Sequence, residues 1–521
     1  MTPGFPMHAR DSYVLLTGAT GLLGRSLLRD LAAAGRRIAV VVRRGKVGSA
    51  ADRVDELLDD WREVTGAEVE CPVVLEGDLA VPGLGLPVEQ HDWIAAHVRE
   101  VIHSAASLSF QRREADDEPY TSNVTGTRNV LALCRSAGLR RLHHVSSAYV
   151  CGLRTGTCLE SELDVGQTSG NDYERSKIIS EQEATNADGF DSVTVHRPSI
   201  IVGDLVNGFT NTFHGFYKPL RIVQPFVEAF VGAELEPGSL LEVLGMDGRE
   251  GKNLVPVDWV SAVMTRIIMD ESLHGRTYHL TSDAPTSVGT LCRVFEELVV
   301  EMAAEIRRRR DERAAPARAA GGFDPATLGR LFLDQMHVYR AYWRDDPRFD
   351  ATNTRRAVPG LPAPALDDRT IRRLCRFAIV NNFRWPPPGR EPRRWRARPT
   401  LEARLGAASW RPPRGGMVGL AAAGSGGGHW TLGVESGAPV SLHVGLPSAA
   451  VPTLRLTAES LVGILAGDER ADALAARGGI SVEGSDAVGR AAAIGVVAAL
   501  VDARHRGGAA ARAAVSSGVG G

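Results

Sequence analysis

A tyrosine and a lysine four positions apart are the residues of this 521-residue chain best suited to carbonyl chemistry. They are Tyr173 and Lys177, in the segment Tyr-Glu-Arg-Ser-Lys. Residues i and i+4 share one face of a helix, so a phenol and an ammonium can reach the same group. A nearby ammonium favours the phenolate and lowers the tyrosine pKa from its usual value near 10. The pair predicts proton transfer to a carbonyl oxygen.

A serine pair follows another predicted strand and supplies hydrogen-bond donors. We expect Ser147 to bind the substrate oxygen and Ser146 to support it, although capping of a turn is an alternative for both. Asn123, before a predicted helix, is either an N-cap or part of a water relay. The histidines in this region lack the spacing of metal ligands, so no metal is predicted.

A glycine-rich segment near the start of the chain predicts a dinucleotide site. Thr17-Gly-Ala-Thr-Gly-Leu-Leu-Gly24 follows an apolar run and precedes a helical pattern. Gly18 and Gly24 would allow a tight turn and close helix packing, and Gly21 would let the backbone approach the phosphates. The free N–H groups at the start of the helix favour a pyrophosphate.

The end of the second predicted strand favours NADP(H) over NAD(H). That strand runs into Arg43 and Arg44, where an NAD site usually has an acidic residue. Guanidinium groups suit a 2′-phosphate, whereas the alternative is an ordinary basic surface loop. The predicted cofactor contacts are Thr17, Gly18, Thr20, Gly21, Leu22, Gly24, Arg43, Arg44, Asp78, Leu79, Ser104, Ala105, Ala106, Asn123, Ser146, Tyr173, Lys177, Pro198 and Ser199.

Alternating apolar and amphipathic segments place these residues on a doubly wound, Rossmann-type parallel α/β sheet. The predicted strands are 13–16, 38–42, 73–76, 101–103, 142–146 and 193–196, and the predicted helices are 22–34, 54–64, 89–97 and 124–137. A strand over 254–258 is predicted to feed a helix with Asp258 as its N-cap. Such a sheet binds its ligand beyond the carboxyl ends of its strands.

Shifts in composition divide the chain into five predicted parts. These are a dinucleotide-binding domain with a small substrate lobe (1–290), a helical extension (291–384), a Pro/Arg-rich linker (385–414), a separate α+β domain (415–505) and a disordered tail (506–521). In the α+β domain, strands are predicted at 429–434, 440–444 and 480–483, and helices at 458–466, 468–476 and 487–502.

The bulk properties are those of an ordinary globular protein. A formal net charge of −2 gives no reason to expect binding to nucleic acid or to a membrane surface. Six cysteines without regular spacing favour a reduced, cytoplasmic setting over a disulfide framework. Neither a signal peptide nor a transmembrane segment is predicted, and the sequence does not indicate the oligomeric state.

Together these segments resemble the extended short-chain dehydrogenase/reductase family. The similar segments are 17–24, 77–79, 103–106, 123–130, 146–152, 173–177, 196–204 and 255–260. The resemblance implies Ser147, Tyr173 and Lys177 as the catalytic triad. Residues 123–152, 171–177 and 213–220 look most like the thioester-reductase and fatty acyl-CoA reductase branch. That branch implies NADPH-dependent reduction of an acyl-CoA or carrier-bound thioester to aldehyde or alcohol.

Residues 415–505 are similar to the sterol carrier protein fold, which implies a binding site for acyl chains or sterols. The glycine-rich stretch 424–428 departs from that fold. Alternative functions are oxidation or reduction of a sterol-like alcohol or ketone, modification of a nucleotide sugar, and a non-catalytic lipid carrier or scaffold. The Tyr173–Lys177 pair disfavours the carrier, because a scaffold has no need of both residues.

Overall fold

The computed structural model describes residues 12–45, 48–66, 68–112, 114, 117–230, 238–312, 325–386, 401, 416–434, 441–447, 451–466, 469 and 471–483. The predicted helix at 487–502 and tail at 506–521 lie outside the described residues, as does nearly all of the predicted linker.

The first part of the chain forms a parallel sheet flanked by helices, as predicted, but the sheet has seven strands and not six. The strands up to the linker are β1 (Tyr13–Thr17), β2 (Arg37–Val42), β3 (Val73–Glu76), β4 (Val98–His103), β5 (Arg141–Val145), β6 (Thr157–Cys158), β7 (Ser192–Pro198), β8 (Ile200–Val202), β9 (Gly251–Lys252), β10 (Leu254–Pro256), β11 (Thr277–Leu280), β12 (Thr286–Ser287) and β13 (Arg348–Phe349). The large sheet has the order β11-β7-β5-β4-β1-β2-β3, with every neighbouring pair parallel.

Twelve described helices precede the linker. They are α1 (Leu22–Ala33), α2 (Ala50–Thr65), α3 (Val88–His97), α4 (Gly126–Ser136), α5 (Asp172–Thr185), α6 (Lys218–Val223), α7 (Ser239–Leu244), α8 (Val257–Met269), α9 (Val288–Glu312), α10 (Pro325–Met336), α11 (Thr352–Ala357) and α12 (Asp368–Val380). The prediction that Asp258 is the N-cap of α8 is wrong. Pro256 occupies that position, and Asp258 lies in the first turn.

The sheet is buried on both faces, which explains the nearly continuous apolar runs of β1 and β2. Every residue of β1 and β2 is buried. One face packs against α1, α2 and α8, and the opposite face packs against α3 and α4. These two cores hold the sheet rigid, so its carboxyl edge can position side chains with precision.

The substrate lobe and the helical extension share one further core. Phe216, Tyr217 and Leu220 from the lobe pack with apolar residues of α9 and α12. The helical extension also contacts the dinucleotide-binding part of the chain, because its strand β13 pairs in parallel with β6 in a separate two-stranded sheet.

The C-terminal part forms its own five-stranded sheet, with α13 (Ala458–Ala466) and α14 (Ala471–Ala476) packed against it. Its strands are β14 (Gly416–Ala423), β15 (Gly428–Val434), β16 (Ser441–Val444), β17 (Thr453–Thr457) and β18 (Ser481–Glu483), in the order β16-β15-β14-β17-β18. We call residues 416–483 the C-terminal unit.

The C-terminal unit docks on the edge of the parallel sheet where the strands begin. The Tyr13 hydroxyl accepts a hydrogen bond from the Leu446 backbone N–H (2.8 Å) and lies 3.0 Å from His429 Nδ1. Arg37 donates to the Pro447 carbonyl, and Trp93 donates to the Val444 carbonyl. The carboxyl ends of the strands therefore stay clear of these contacts.

No described helix has both the length and the apolar character needed to cross a bilayer.

Candidate active site

Helix α5 presents Tyr173 and Lys177 on one face at the carboxyl edge of the sheet. Asn171 caps the helix, because its side-chain oxygen accepts a hydrogen bond from the Glu174 N–H (2.9 Å). The Lys177 side chain is almost fully buried, and its ammonium donates to the carbonyl of Val145, the last residue of β5 (2.7 Å). This hydrogen bond fixes the lysine beside the serine pair.

Ser147 lies within hydrogen-bonding distance of the Tyr173 phenol. It is buried just beyond β5, and its hydroxyl also accepts a hydrogen bond from the Tyr149 N–H (3.2 Å). The structure therefore brings the three predicted catalytic residues together. Ser147 also caps the turn that follows, which confirms the capping interpretation, while its binding of a substrate oxygen stays a prediction.

Burial raises the pKa of Tyr173 to about 12, against the Ser147 hydrogen bond, which lowers it. The direction is opposite to the lowering that the sequence led us to expect from the lysine. Burial also lowers the pKa of Lys177 to about 8. At neutral pH the phenol thus carries the proton that a donor must supply, and the lysine is mostly charged.

Asn123 is not an N-cap. It lies in a π-helical turn (Thr121–Thr125) ahead of α4, and its amide donates to the Ser107 carbonyl (3.1 Å) and the Ser176 hydroxyl (2.8 Å). Its side-chain oxygen accepts from the Ser107 N–H (2.7 Å). Asn123 therefore joins the loop after β4 to helix α5.

The glycine-rich loop leaves no room for side chains at two of its glycines. A Cβ on Gly24 would lie 2.0 Å from the Gly18 carbonyl oxygen, and one on Gly18 would lie 2.6 Å from the Ala105 nitrogen. Gly18 also has a φ of +75°, which other residues rarely adopt. Gly21 is the N-cap of α1, where no side chain occupies the free N–H groups. This geometry fits a pyrophosphate at the helix N-terminus.

Arg53 of α2, an arginine that was not predicted from the sequence, lies near the basic end of β2. Arg44 is exposed and pairs with Glu76 at the end of β3 (2.8 Å). Arg53 of α2 instead reaches back, donating to the Arg43 carbonyl (2.7 Å) and the Thr20 hydroxyl (3.1 Å). Burial and the neighbouring Arg43 guanidinium lower the pKa of Arg53. The positively charged side chains of Arg43 and Arg53 therefore lie near each other beside the glycine-rich loop.

Two buried hydroxyls at the predicted nicotinamide end have no partner among the described residues. They belong to Ser146 and Ser199, at the carboxyl ends of β5 and β7. Buried hydroxyls are normally hydrogen-bonded, so these two fit a bound polar group. The other predicted contacts also follow strands of the same edge: Asp78 and Leu79 after β3, Ser104, Ala105 and Ala106 after β4, and Pro198 at the end of β7.

His103 connects the strand ends behind the site and was not predicted as a functional residue. Its ring nitrogens lie 2.8 Å from the Thr17 hydroxyl and 3.0 Å from the Thr127 hydroxyl. Burial, with a contribution from the Lys177 ammonium, lowers the pKa of His103 to about 3. A neutral histidine at the end of β4 therefore braces β1 against α4. The segment 103–106 is part of the family resemblance, but the contacts of His103 with Thr17 and Thr127 become visible only in the packed structure.

A second group of polar side chains lies away from this site. Ligand atoms of Glu100, His143 and His274 lie within 4.8 Å of one another. His143 is 2.9 Å from one Glu100 oxygen, and Arg36 pairs with the other (2.9 Å). The arginine balances the carboxylate charge, so the group is explained as a buried polar network.

Comparison with known proteins shows which proteins this part of the chain resembles. Residues 16–264 match a family model for NAD-binding domains described as "Male sterility protein". The fatty acyl-CoA reductase wat of Drosophila melanogaster is 25% identical over 285 residues, covering 48% of this chain and 53% of the relative. Just under half of the chain is therefore similar to an NAD-binding domain of that family.

The chain is also similar to parts of larger synthetases. The nonribosomal peptide synthetase asaC of Aspergillus flavus is 26% identical over 315 residues, covering 56% of this chain and 29% of the relative. The terminal R domain from the myxalamid PKS-NRPS biosynthetic pathway has a TM-score of 0.54 and 23% identity, covering 72% of this chain and 92% of that domain. That likeness shows a shared fold. The chain spans about half or less of the length of both curated relatives.

Proposed function

We propose that the reductase uses NADPH to reduce an acyl thioester, either acyl-CoA or a carrier-bound acyl group, to an aldehyde or alcohol. The observation that carries this proposal is the convergence of Ser147, Tyr173 and Lys177 beside a glycine-rich loop. The similarity to a fatty acyl-CoA reductase and to synthetases supports a thioester as the substrate.

Each catalytic residue has a distinct role in the proposed reaction. The Ser147 hydroxyl donates a hydrogen bond to the thioester oxygen, where negative charge develops. Tyr173 gives its proton to that oxygen, and the raised pKa keeps the phenol protonated until then. Lys177 holds a ribose hydroxyl and stabilises the phenolate left behind. When bound, the cofactor supplies the hydride that reaches the acyl carbon. Hydride and proton together give a hemithioacetal, whose C–S bond then breaks: the thiol of CoA or of the carrier leaves with the hydroxyl proton, and the aldehyde remains.

The proposed cofactor site uses the residues that form the glycine cradle and the basic end of β2. The backbone around Gly18, Gly21 and Gly24 binds the pyrophosphate at the start of α1. Arg43 and Arg53 bind the 2′-phosphate, while Arg44 adds a more distant positive charge because Glu76 holds it. The unpartnered hydroxyls of Ser146 and Ser199 lie where the nicotinamide end is expected.

The C-terminal unit is proposed to bind a lipid, on the basis of its resemblance to sterol carrier proteins. Its described core is formed by apolar side chains of β14, β15, β17 and α13. Because the unit docks where the strands begin, we propose that it acts independently of the crevice rather than covering it.

The direct test is turnover of long-chain acyl-CoA with NADPH, which is monitored through the absorbance of the reduced cofactor. One NADPH consumed per thioester indicates an aldehyde product, and two indicate an alcohol. The same acyl groups on a carrier protein form the second arm of the test. Absence of NADPH oxidation with either thioester, together with turnover of a sterol-like ketone, would replace the proposal by the alternative alcohol or ketone chemistry.

A further inference from the structure

Two of the six cysteines are neighbours in space, close to Ser147. Cys151 and Cys158 are both buried and belong to one apolar cluster with Ala148 and Phe349. Their thiols hydrogen-bond each other. Both are free thiols in this structure. The remaining cysteines, Cys71, Cys134, Cys292 and Cys375, are also free and buried.

The surroundings of Cys158 favour its thiolate. The hydrogen bond with Cys151 lowers the pKa of the Cys158 thiol, and the nearby guanidinium groups of Arg154 and Arg344 lower it further. Burial and the same partner raise the pKa of Cys151. One sulfur is thus the better nucleophile and the other retains its proton, which is the division of roles that a redox-active dithiol needs.

A short surface loop covers the two thiols. Residues 152–157 join them, and Gly152 and Gly156 have positive φ angles of 57° and 80°. Leu153 in this loop is 40% exposed. Arg344 fastens the loop by donating to the carbonyls of Gly152 (2.9 Å) and Leu153 (2.8 Å). A loop with this exposure opens locally far more easily than the sheet beneath it, and opening admits a small oxidant.

We propose that Cys151 and Cys158 form a reversible redox site whose oxidation to a disulfide lowers the turnover of the reductase. With hydrogen peroxide as the oxidant, the Cys158 thiolate attacks one peroxide oxygen and is oxidised to a sulfenic acid, while the other oxygen leaves as water after protonation. The Cys151 sulfur then attacks the Cys158 sulfur, its proton and the sulfenic hydroxyl leave as water, and the disulfide forms. The two thiols lose two electrons and two protons in total, and one peroxide becomes two waters.

The position of Cys151 explains why this oxidation would affect catalysis. Cys151 ends the 3₁₀ turn Ala148–Cys151, which begins directly after Ser147. Ser147 accepts the Tyr149 N–H of that turn, and the Tyr149 hydroxyl donates to Asp346 (2.7 Å). Drawing the two sulfurs from hydrogen-bonding to bonding distance displaces the end of the turn. This regulatory half rests on the proposed function, since it requires Ser147 to act on the substrate.

The experiment treats the full-length protein with hydrogen peroxide and traps the remaining thiols with an alkylating agent. Peptide mass spectrometry then locates any disulfide, and NADPH-dependent turnover is measured in parallel. Cys151→Ser and Cys158→Ser remove one partner each, and Cys292→Ser is the matched control because it removes a buried thiol elsewhere. The mapping does not depend on turnover, so failure of this proposal is distinguishable from failure of the proposed function.

We expect a 151–158 disulfide in the wild type and in Cys292→Ser, with at least a fivefold fall in turnover that dithiothreitol reverses. Both serine variants at the pair should keep their turnover under the same treatment. Recovery of both cysteines as alkylated thiols overturns the proposal. So does an equal loss of turnover in the Cys151→Ser and Cys158→Ser proteins. A mapped disulfide with unchanged turnover overturns the regulatory half.

Discussion

At the scale of single residues, the proposed catalysis depends on keeping the Tyr173 phenol protonated next to the almost fully buried ammonium of Lys177. The Tyr173 pKa is raised to about 12 and the Lys177 pKa is lowered to about 8, both by burial. The placement of Tyr173 and Lys177 on one helix face could be predicted directly from their spacing in the sequence. The direction of the tyrosine shift could not be predicted, because it depends on how completely α5 is buried.

Removing the phenol oxygen tests the proton donor. Tyr173→Phe should lower turnover at least ~100-fold while NADPH affinity stays within about threefold, because only the transferred proton is lost. Steady-state kinetics and fluorescence titration of NADPH measure the two effects. Tyr278→Phe is the control. Tyr278 lies on the edge strand β11, and its hydroxyl donates a hydrogen bond to the Leu273 carbonyl. Equal turnover in the two variants would contradict the assignment.

The lysine predicts the alkaline limb of the pH profile. Lys177 is charged below about pH 8 and loses its proton as the pH rises through that value. The proposed stabilisation of the phenolate is lost with the charge, so kcat/KM should fall by about tenfold per pH unit above it. Circular dichroism at each pH verifies that the fold persists. A profile that stays flat to about pH 9.5 would exclude this role of the ammonium.

Cofactor preference depends on two arginines. Arg43→Ala and Arg53→Ala should each raise the KM for NADPH about tenfold and leave the KM for NADH nearly unchanged, because only NADPH carries the 2′-phosphate. Arg44→Ala is the comparison, and its effect should be smaller because Glu76 already pairs with that side chain. A parallel rise in both KM values would show that these residues stabilise the loop rather than select the cofactor.

At the scale of elements, the strand–turn–helix unit β1–α1 is the part most tightly dictated by its sequence. The Gly18 carbonyl leaves no space for a Cβ at Gly24, and Ala105 leaves none at Gly18. The glycine pattern, with a buried apolar strand before it, was therefore enough to predict the whole unit. Arg53 was missed because its reach to Thr20 depends on how α2 docks beside that unit.

An added methyl group at Gly24 tests this fit. Gly24→Ala places a carbon 2.0 Å from the Gly18 carbonyl oxygen, so the loop must shift. The variant should lose about 1–3 kcal/mol of unfolding free energy and bind NADPH at least about tenfold more weakly. Gly360→Ala, where nothing lies within 4 Å of the new carbon, is the matched control. Chemical denaturation and NADPH titration measure both, and indistinguishable variants would contradict the packing argument.

Other elements show where sequence patterns stop being informative. β3 and α13 have the predicted bounds, because each is a clear apolar run or a clear amphipathic pattern. β14 was missed, since Gly-Met-Val-Gly-Leu-Ala-Ala-Ala has little β propensity and is held by its neighbours β15 and β17. β11 was missed because Thr-Tyr-His-Leu lacks the apolar run that marks the equally short β3.

At the scale of the whole molecule, a buried polar chain joins the two folded parts. The Tyr13 hydroxyl can donate to His429 Nδ1 while the other ring nitrogen of His429 lies 2.6 Å from Glu70. Arg455 pairs with the same carboxylate (2.7 Å). His429 and Arg455 outweigh burial and lower the pKa of Glu70 to about 2. None of these long-range partners could be predicted, because they lie more than 350 positions apart.

Neutralising Glu70 should weaken this joint in a pH-dependent way. Its carboxylate contributes stability above its usual pKa, and that contribution is lost as the pH falls through about 4.5 towards 2. Glu70→Gln should cost about 2 kcal/mol at pH 7 and progressively less in acid, as measured by chemical denaturation.

Glu483→Gln provides the control for that experiment. Its carboxylate pairs with the same Arg455, but its side chain is 61% exposed, so its loss should have little effect. Equal losses in the two variants, or a Glu70→Gln deficit that does not change with pH, would contradict the account.

The docking of the C-terminal unit on the strand starts has a practical consequence for anyone shortening this chain. A fragment that stops after the helical extension would uncover the side chains of Tyr13, Arg37 and Trp93, which now hydrogen-bond to backbone groups of Val444, Leu446 and Pro447. Such a fragment keeps Ser147, Tyr173 and Lys177. It also exposes an apolar surface that favours self-association. Production of the enzyme in pieces therefore calls for polar substitutions on that end of the sheet.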